Sequence, residues 1–193
     1  MNVLVFDTET TGLPLWNDPS DHPDQPYIVD IAATLFDGSG LEIDRFDSIV
    51  KPGVPIPEEL ARLHGITTEM AMDQGIEIAT AHSMLMGLIA DADLIVGHNV
   101  SFDIRMARIQ AVRATGSKWD NPLPTFCTML RTTGICKILK SNARFDKDWK
   151  WPNLTEATRF FFNEDHSNAH RARADCDAAA RIYFHIKEQG IAA

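Results

Sequence analysis

With 193 residues, 45% of them hydrophobic, the chain is long enough to bury one sizeable core and short for two, since domains most often hold about 100 to 150 residues. A formal charge of -9 lacks the basic footprint of a protein that grips nucleic acid by its whole surface, and three cysteines without CxxC or Cys/His spacing support neither a disulfide framework nor a zinc site. No apolar run approaches the roughly 18 residues of a membrane span, and the opening MNVLVFDTETTG has no signal-peptide architecture, so the chain reads as one soluble, cytoplasmic domain over residues 1–193.

Residues 2–6 form a short apolar run broken by Gly12-Leu13-Pro14, which predicts a buried first strand. Residues 14–26, rich in Pro and Asp, predict a loop. Residues 28–36 and 43–50 read as two more strands, joined by a turn at Asp37-Gly38-Ser39-Gly40, giving an antiparallel meander. Pro57 is placed to open a helix through Glu58 and Leu63, and a longer helix follows over 78–90. A strand at 94–96 stops at Gly97, and 101–114 is helical in pattern up to Gly116. A short strand is expected at 125–128, then helices over 129–139, 154–162 and 171–189. Strands first and alternation afterwards mean α/β layers around one mixed sheet.

Four carboxylates carry the chemistry. Asp7 and Glu9 sit two apart at the polar end of the first strand, so period two puts them on one face roughly 7 Å apart. Taken alone, Asp-x-Glu ends a strand more often than it binds an ion, but two buried like charges conflict unless a cation joins them. Oxygen donors without His or Cys beside them suit Mg²⁺ or Mn²⁺. Asp103 falls in the first turns of the 101–114 helix, where a carboxylate also complements the helix dipole. In the last helix Ala172, Cys176, Ala179, Tyr183 and Ile186 form a core stripe, and Asp175 flanks it at a buried edge. His170 lies five residues earlier, about 140° away around a helix, so it must sit at or before the first turn to share a site with Asp175. Phosphodiester hydrolysis by two ions about 4 Å apart fits this set, with a histidine as general base.

The order of motifs then resembles one family. Phe6-Asp7-Thr8-Glu9-Thr10-Thr11-Gly12-Leu13, His98-Asn99-Val100-Ser101-Phe102-Asp103 and His170-Arg171-Ala172-Arg173-Ala174-Asp175 are similar to the three motifs of DEDD-type exonucleases. The His-x4-Asp spacing is that of the histidine subclass, similar to the proofreading epsilon subunit of bacterial polymerase III, and Leu63-His64-Gly65-Ile66-Thr67 recurs there too. The resemblance implies a ribonuclease-H-like α/β fold with a mixed five-stranded sheet flanked by helices. It implies 3′-to-5′ exonuclease activity, two divalent cations on Asp7, Glu9, Asp103 and Asp175, and His170 as general base. It further implies a terminal nucleotide held by Thr10, Gly12, Leu13, His64, His98, Asn99 and Phe102. DNA is the expected substrate, in repair or proofreading, with a polymerase or replication partner open. RNA ends are the alternative, and a non-catalytic module on such a partner would have lost a ligand, which this chain has not.

Two segments depart from the shortest members. The 14–26 insertion stands where it can shape the mouth of the site. Residues 131–150 carry six basic against two acidic residues and run into Trp149-Lys150-Trp151-Pro152. That stretch reads equally as a stacking lip for a single strand or as a solvated loop whose tryptophans pack on the core.

Overall fold

The computed structural model describes residues 1–191. Its five strands are β1 (Val3–Thr10), β2 (Ile28–Phe36), β3 (Glu42–Ile49), β4 (Leu94–Gly97) and β5 (Thr125–Cys127), arranged in the order β3-β2-β1-β4-β5. The first three pair antiparallel, β2 and β3 across the short turn after Phe36 and β1 and β2 across the long 14–26 loop, while β4 joins β1 in parallel and β5 joins β4 in parallel. The helices are α1 (Glu58–His64), α2 (Thr68–Gln74), α3 (Ile78–Ala90), α4 (Val100–Thr115), α5 (Thr128–Cys136), α6 (Leu154–Phe162) and α7 (Ala172–Glu188). This is the ribonuclease-H-like, mixed five-stranded arrangement anticipated above. No helix among the described residues is long and apolar enough to cross a membrane.

The strand period divides the core between two layers. Leu4 and Phe6 point into a cluster with Leu85, Leu88 and Ile89 of α3 and Ile104, Met106 and Ile109 of α4. Val3 and Val5 point the other way, into Ala172, Cys176, Ala179 and Tyr183 of α7. Each buried Leu, Ile or Phe in these layers contributes about 1.5–3 kcal/mol of transfer free energy. The predicted α7 stripe is therefore the seam between that helix and the sheet.

Three differences from the sequence reading have local causes. β1 does not stop at Phe6: it runs to Thr10 because β2 lies alongside it, with Thr8 opposite Ile31 and Glu9 opposite Asp30. The seven-residue helix α2 went unread, although Thr67 caps it by accepting the Met70 N–H at 3.2 Å. The 129–139 helix ends at Cys136, where Lys137 takes a left-handed conformation (φ 51°), and the chain turns into a small hairpin instead.

The 14–26 loop is ordered by a buried polar hub. Gln25 accepts the Leu15 N–H and donates to the Leu15 and Pro19 carbonyls, each at 3.0 Å. From α4, Arg105 donates to the Ser20 hydroxyl and the Leu15 carbonyl, while Arg113 donates to the Gln25 and Pro26 carbonyls and stacks 3.5 Å over the Tyr27 ring.

Candidate active site

The site lies where β1 and β4, running parallel, reach their carboxyl ends. Asp7 and Glu9 continue the parity of Val3 and Val5, so they emerge toward the α7 layer. Asp103 comes from the first turn of α4, whose start is set by a sharp turn after Gly97 with Asn99 left-handed at φ 77°. Thr8, of opposite parity, donates its hydroxyl to Asp103 Oδ1 at 2.8 Å in a buried contact.

Charge repulsion is written into the titration of these groups. Burial, then the charges of Asp103, Asp175, Glu9 and Asp30, push Asp7 well above its ordinary value. Burial, aided by Asp175, Asp30 and Asp103, pushes Glu9 up to about 8. Asp103 is pushed to about 7 by burial, against the pull of its hydrogen bonds from Thr8. Burying several carboxylates around one point is unfavourable for folding alone, and bound cations would reverse the sign. Glu9, His170 and Asp175 also offer ligand atoms that all lie within 4.8 Å of one another. The residues present thus fit a divalent-cation site, now with one imidazole nitrogen at its rim.

The third motif is held in an unusual loop. His170 is exposed and left-handed (φ 66°), two residues after left-handed Asn168 (φ 57°), a conformation that is costly outside glycine and tends to mark functional positions. It stands immediately before the Arg171 N-cap of α7, outside the helix as the 140° argument demanded. Its backbone N–H donates to Asp175 Oδ2 at 3.3 Å.

Two further residues belong here that sequence reasoning set aside or passed over. His166 places Nε2 2.5 Å from Asp175 Oδ1, with only 6% of its side chain exposed against 14% for Asp175. Sequence alone gives this histidine no role; the contact fixes the orientation of the Asp175 carboxylate. Asp30, buried on β2 beside Glu9, accepts from Arg171 Nε at 2.9 Å and from the Ala172 N–H at 3.3 Å, anchoring the start of α7. Burial raises it and Arg171 opposes the rise. An acidic residue inside the otherwise apolar run of β2 was the available signal.

The expected substrate contacts divide by environment. The Thr10 hydroxyl donates to the Gly12 carbonyl at 2.7 Å, closing the turn that presents Leu13, which is largely exposed. Asn99 stands at the turn into α4, and Phe102 packs partly on the core. His64 is buried, its Nδ1 accepting the Ile66 N–H at 3.2 Å and its Nε2 unpartnered. Burial together with the charges of Arg171 and His170 lowers its pKa, so it belongs to the same neighbourhood. His98 has both ring nitrogens engaged, Nε2 with the Pro152 carbonyl and Nδ1 with the Thr128 hydroxyl, each at 2.9 Å. A carbonyl only accepts, so Nε2 carries the proton, and burial keeps the ring neutral by lowering its pKa. Cys176, next to Asp175, turns away from the site: its thiol donates to the Val5 carbonyl at 3.2 Å and burial pushes it to about 12.

A ribonuclease-H-like sheet that brings carboxylates from its central strand together with those of two flanking helices defines the framework of a nuclease. The exonuclease family model RNase_T matches residues 4–183, and the chain belongs to this family as a 3′-to-5′ exonuclease of the DEDD type with histidine in the third motif. An uncharacterized exonuclease of Escherichia phage 186 is 29% identical over 98% of this chain and 90% of its own length. The DNA polymerase III epsilon subunit of Aquifex aeolicus is 27% identical over 96% of this chain and 80% of its own. The fold is that of E. coli exonuclease I, solved with a dT13 oligonucleotide: TM-score 0.72, 22% identity, covering 96% of this chain and 41% of that one. A zinc-bound form of the E. coli enzyme with single-stranded DNA gives TM-score 0.74 at 21% identity, covering 99% of this chain and 42% of that one. The chain thus spans about two fifths of the length of those structures.

Proposed function

We propose that the chain, acting as a single domain, removes nucleotides from the 3′ end of DNA, single-stranded or frayed at its terminus, and releases nucleoside 5′-monophosphates. The observation that carries this reading is the convergence of Asp7, Glu9 and Asp103, all with raised pKa values, on Asp175 and the exposed His170. Asp7, Glu9, Asp103 and Asp175 would hold two divalent cations, Mg²⁺ or Mn²⁺, because carboxylate oxygens match hard ions. When bound, such ions activate a water, neutralise charge gathering on the phosphate and stabilise the leaving oxygen.

The remaining work falls to the chain's own groups. His170, tethered by its backbone to Asp175 and exposed at the rim, takes the proton of the attacking water. The turn of Thr10, Gly12 and exposed Leu13 meets the terminal nucleotide through backbone and apolar surface, and Asn99, Phe102, His64 and His98 would complete that contact, as the motif resemblance implies. Because both nitrogens of His98 serve the fold, its contribution is the ring itself. Contacts of this kind read shape and stacking rather than sequence, as removal of any 3′ nucleotide requires. Epsilon-subunit relatives support a second reading, in which the same activity proofreads for a polymerase.

The test uses 5′-labelled single-stranded DNA and RNA of one sequence with Mg²⁺, Mn²⁺ or chelator, beside Asp7→Asn and His170→Ala. The expected result is a metal-dependent ladder shortening from the 3′ end, faster on DNA, lost in Asp7→Asn and slowed about 10²- to 10⁴-fold in His170→Ala. Metal-loaded, folded protein that cleaves neither substrate would refute the activity, and faster RNA cleavage would refute the substrate.

A further inference from the structure

The hairpin between α5 and α6 has no part in the site as described, yet it is tied directly to it. Its two sides meet at the Leu139–Trp149 bridge, with the Lys140 N–H donating to the Asp148 carbonyl at 2.9 Å and the Lys150 N–H to the Ile138 carbonyl at 2.8 Å. The far side runs out through Trp151 into Pro152, whose carbonyl accepts from His98 Nε2. His98 in turn opens the second motif and feels the charge of Asp175. One residue therefore separates Trp151 from a fixed point of the active site.

The hairpin's surface chemistry is unusual for a protein of net charge -9. Phe145 is 75% exposed and Trp151 64%, exposures that folding alone does not favour for rings of that size. The same hairpin carries Lys140, Arg144, Lys147 and Lys150. Lys150 is paired with Glu156 at 2.7 Å, but Lys140, Arg144 and Lys147 enter no ion pair among the described residues. Asp148, one of two acids in the segment, spends its carboxylate inside the turn on the Arg144 N–H at 3.0 Å. A cavity of about 410 Å³ opens between Lys140, Trp149, Lys150 and Trp151, within the size range of small-ligand sites. Trp149 is the structural member of the pair: it packs against Gly134 and under Lys137.

We propose that this hairpin is a stacking track for the single strand leading away from the scissile 3′ end, with Trp151 and Phe145 receiving bases and Lys140, Arg144 and Lys147 following phosphates. The inference rests on the exonuclease reading and narrows it, because only an unpaired strand presents base faces to such a surface. Charge complementarity selects the occupant: an acidic protein that gathers three cations outside any ion pair and its barest tryptophan and phenylalanine rings on one hairpin fits a polyanion with flat apolar groups there. The surface is also sequence-tolerant, as a nuclease that removes every base requires.

The experiment compares the full chain with Trp151→Ala and Phe145→Ala, both exposed enough that folding is undisturbed, which thermal melts would verify. Three series are measured with Mn²⁺: the p-nitrophenyl ester of thymidine 5′-monophosphate, which reaches the terminal site alone; single strands of increasing length; and duplexes of the same lengths with blunt ends. For the unaltered chain KM falls as the strand grows long enough to reach the hairpin. Each variant loses about fivefold or more of that fall, a typical worth of one stacked base, while the ester is turned over as before. Binding of a long strand with Ca²⁺ replacing Mn²⁺ quenches tryptophan fluorescence in the unaltered chain and less in Trp151→Ala. Superimposable length series and equal strand affinities would overturn the track, including the case in which the hairpin serves a protein partner. If the unaltered chain hydrolyses neither ester nor strand, the activity itself has failed, and strand affinity alone then decides: lost in Trp151→Ala it supports the track, unchanged it refutes it.

Discussion

The two halves of the acidic site are built by opposite means. Asp7 and Asp103 form an inner half, fixed by the central strand, the first turn of α4 and the buried Thr8 hydroxyl. Glu9 and Asp175 form an open half, steadied by His166 and by a loop with two left-handed residues, and flanked by His170. The inner half stores charge conflict in rigid scaffold; the open half carries the histidine proposed above to reach a water. Rigidity and reach are assigned to different elements, so they can be perturbed separately.

The sharpest break is Asp103→Asn. It should cut cleavage by about 10³-fold or more, the several kcal/mol that a lost ligand removes from charge stabilisation at the transition state. Yet it should raise the melting temperature of the metal-free protein, because a buried carboxylate pushed to about 7 has gone. Activity within tenfold of the unaltered chain, or a lower metal-free melt, would break the distinction between the halves.

A smaller effect is expected on the open side. Removing the group that orients a ligand typically costs about 10- to 100-fold in metal affinity, so His166→Ala should need that much more Mn²⁺, read by electron paramagnetic resonance of the free ion as well as by rate. His166→Gln, which retains a donor, should recover part of the loss. Unaltered Mn²⁺ binding in His166→Ala would show that the imidazole is only packing.

The gentlest test is pH. Asp7, Glu9 and Asp103 have folded values raised above the ordinary 3.8 and 4.5 of unfolded carboxylates, two of them to about 8 and about 7. The folded state thus holds more protons than the unfolded one across that window. Metal-free stability should be greatest with respect to these groups near pH 4 and should decline as pH rises toward 8. Mn²⁺ should flatten the decline, and a metal-free melting temperature that climbs over this range would contradict the assigned burial.

Much of this was readable from the chain because strong local signals agreed with the global fold. The runs at 28–36, 78–90 and 154–162 coincide with β2, α3 and α6, where apolar period and flanking Gly, Pro or Asn point the same way. Motif order anticipated which carboxylates would meet. What escaped depends on partners distant in sequence. The polar end of β1 is strand only because β2 pairs with it, and α2 is too short for a periodic stripe. The 14–26 loop has the composition of a linker, and nothing local announces that Gln25 is buried or that Arg105 and Arg113 of α4 will hold its carbonyls. His166 reaches Asp175 across nine residues only because Asn168 and His170 bend the chain left-handed between them.

The thiol of Cys176 has a bearing on handling and labelling. Sulfur reacts with alkylating agents and peroxide as the thiolate, and a buried thiol held near 12 offers almost none of it. The residue beside Asp175 is thus chemically silent, and a soft metal gains no foothold on the sheet side of α7. Dyes aimed at sulfur will settle instead on the partly exposed Cys127 at the end of β5, and more slowly on Cys136 at the foot of the aromatic hairpin, whose thiol burial also raises. Native cysteines therefore provide a reporter beside the proposed strand track, with no engineered site and no injury to α7.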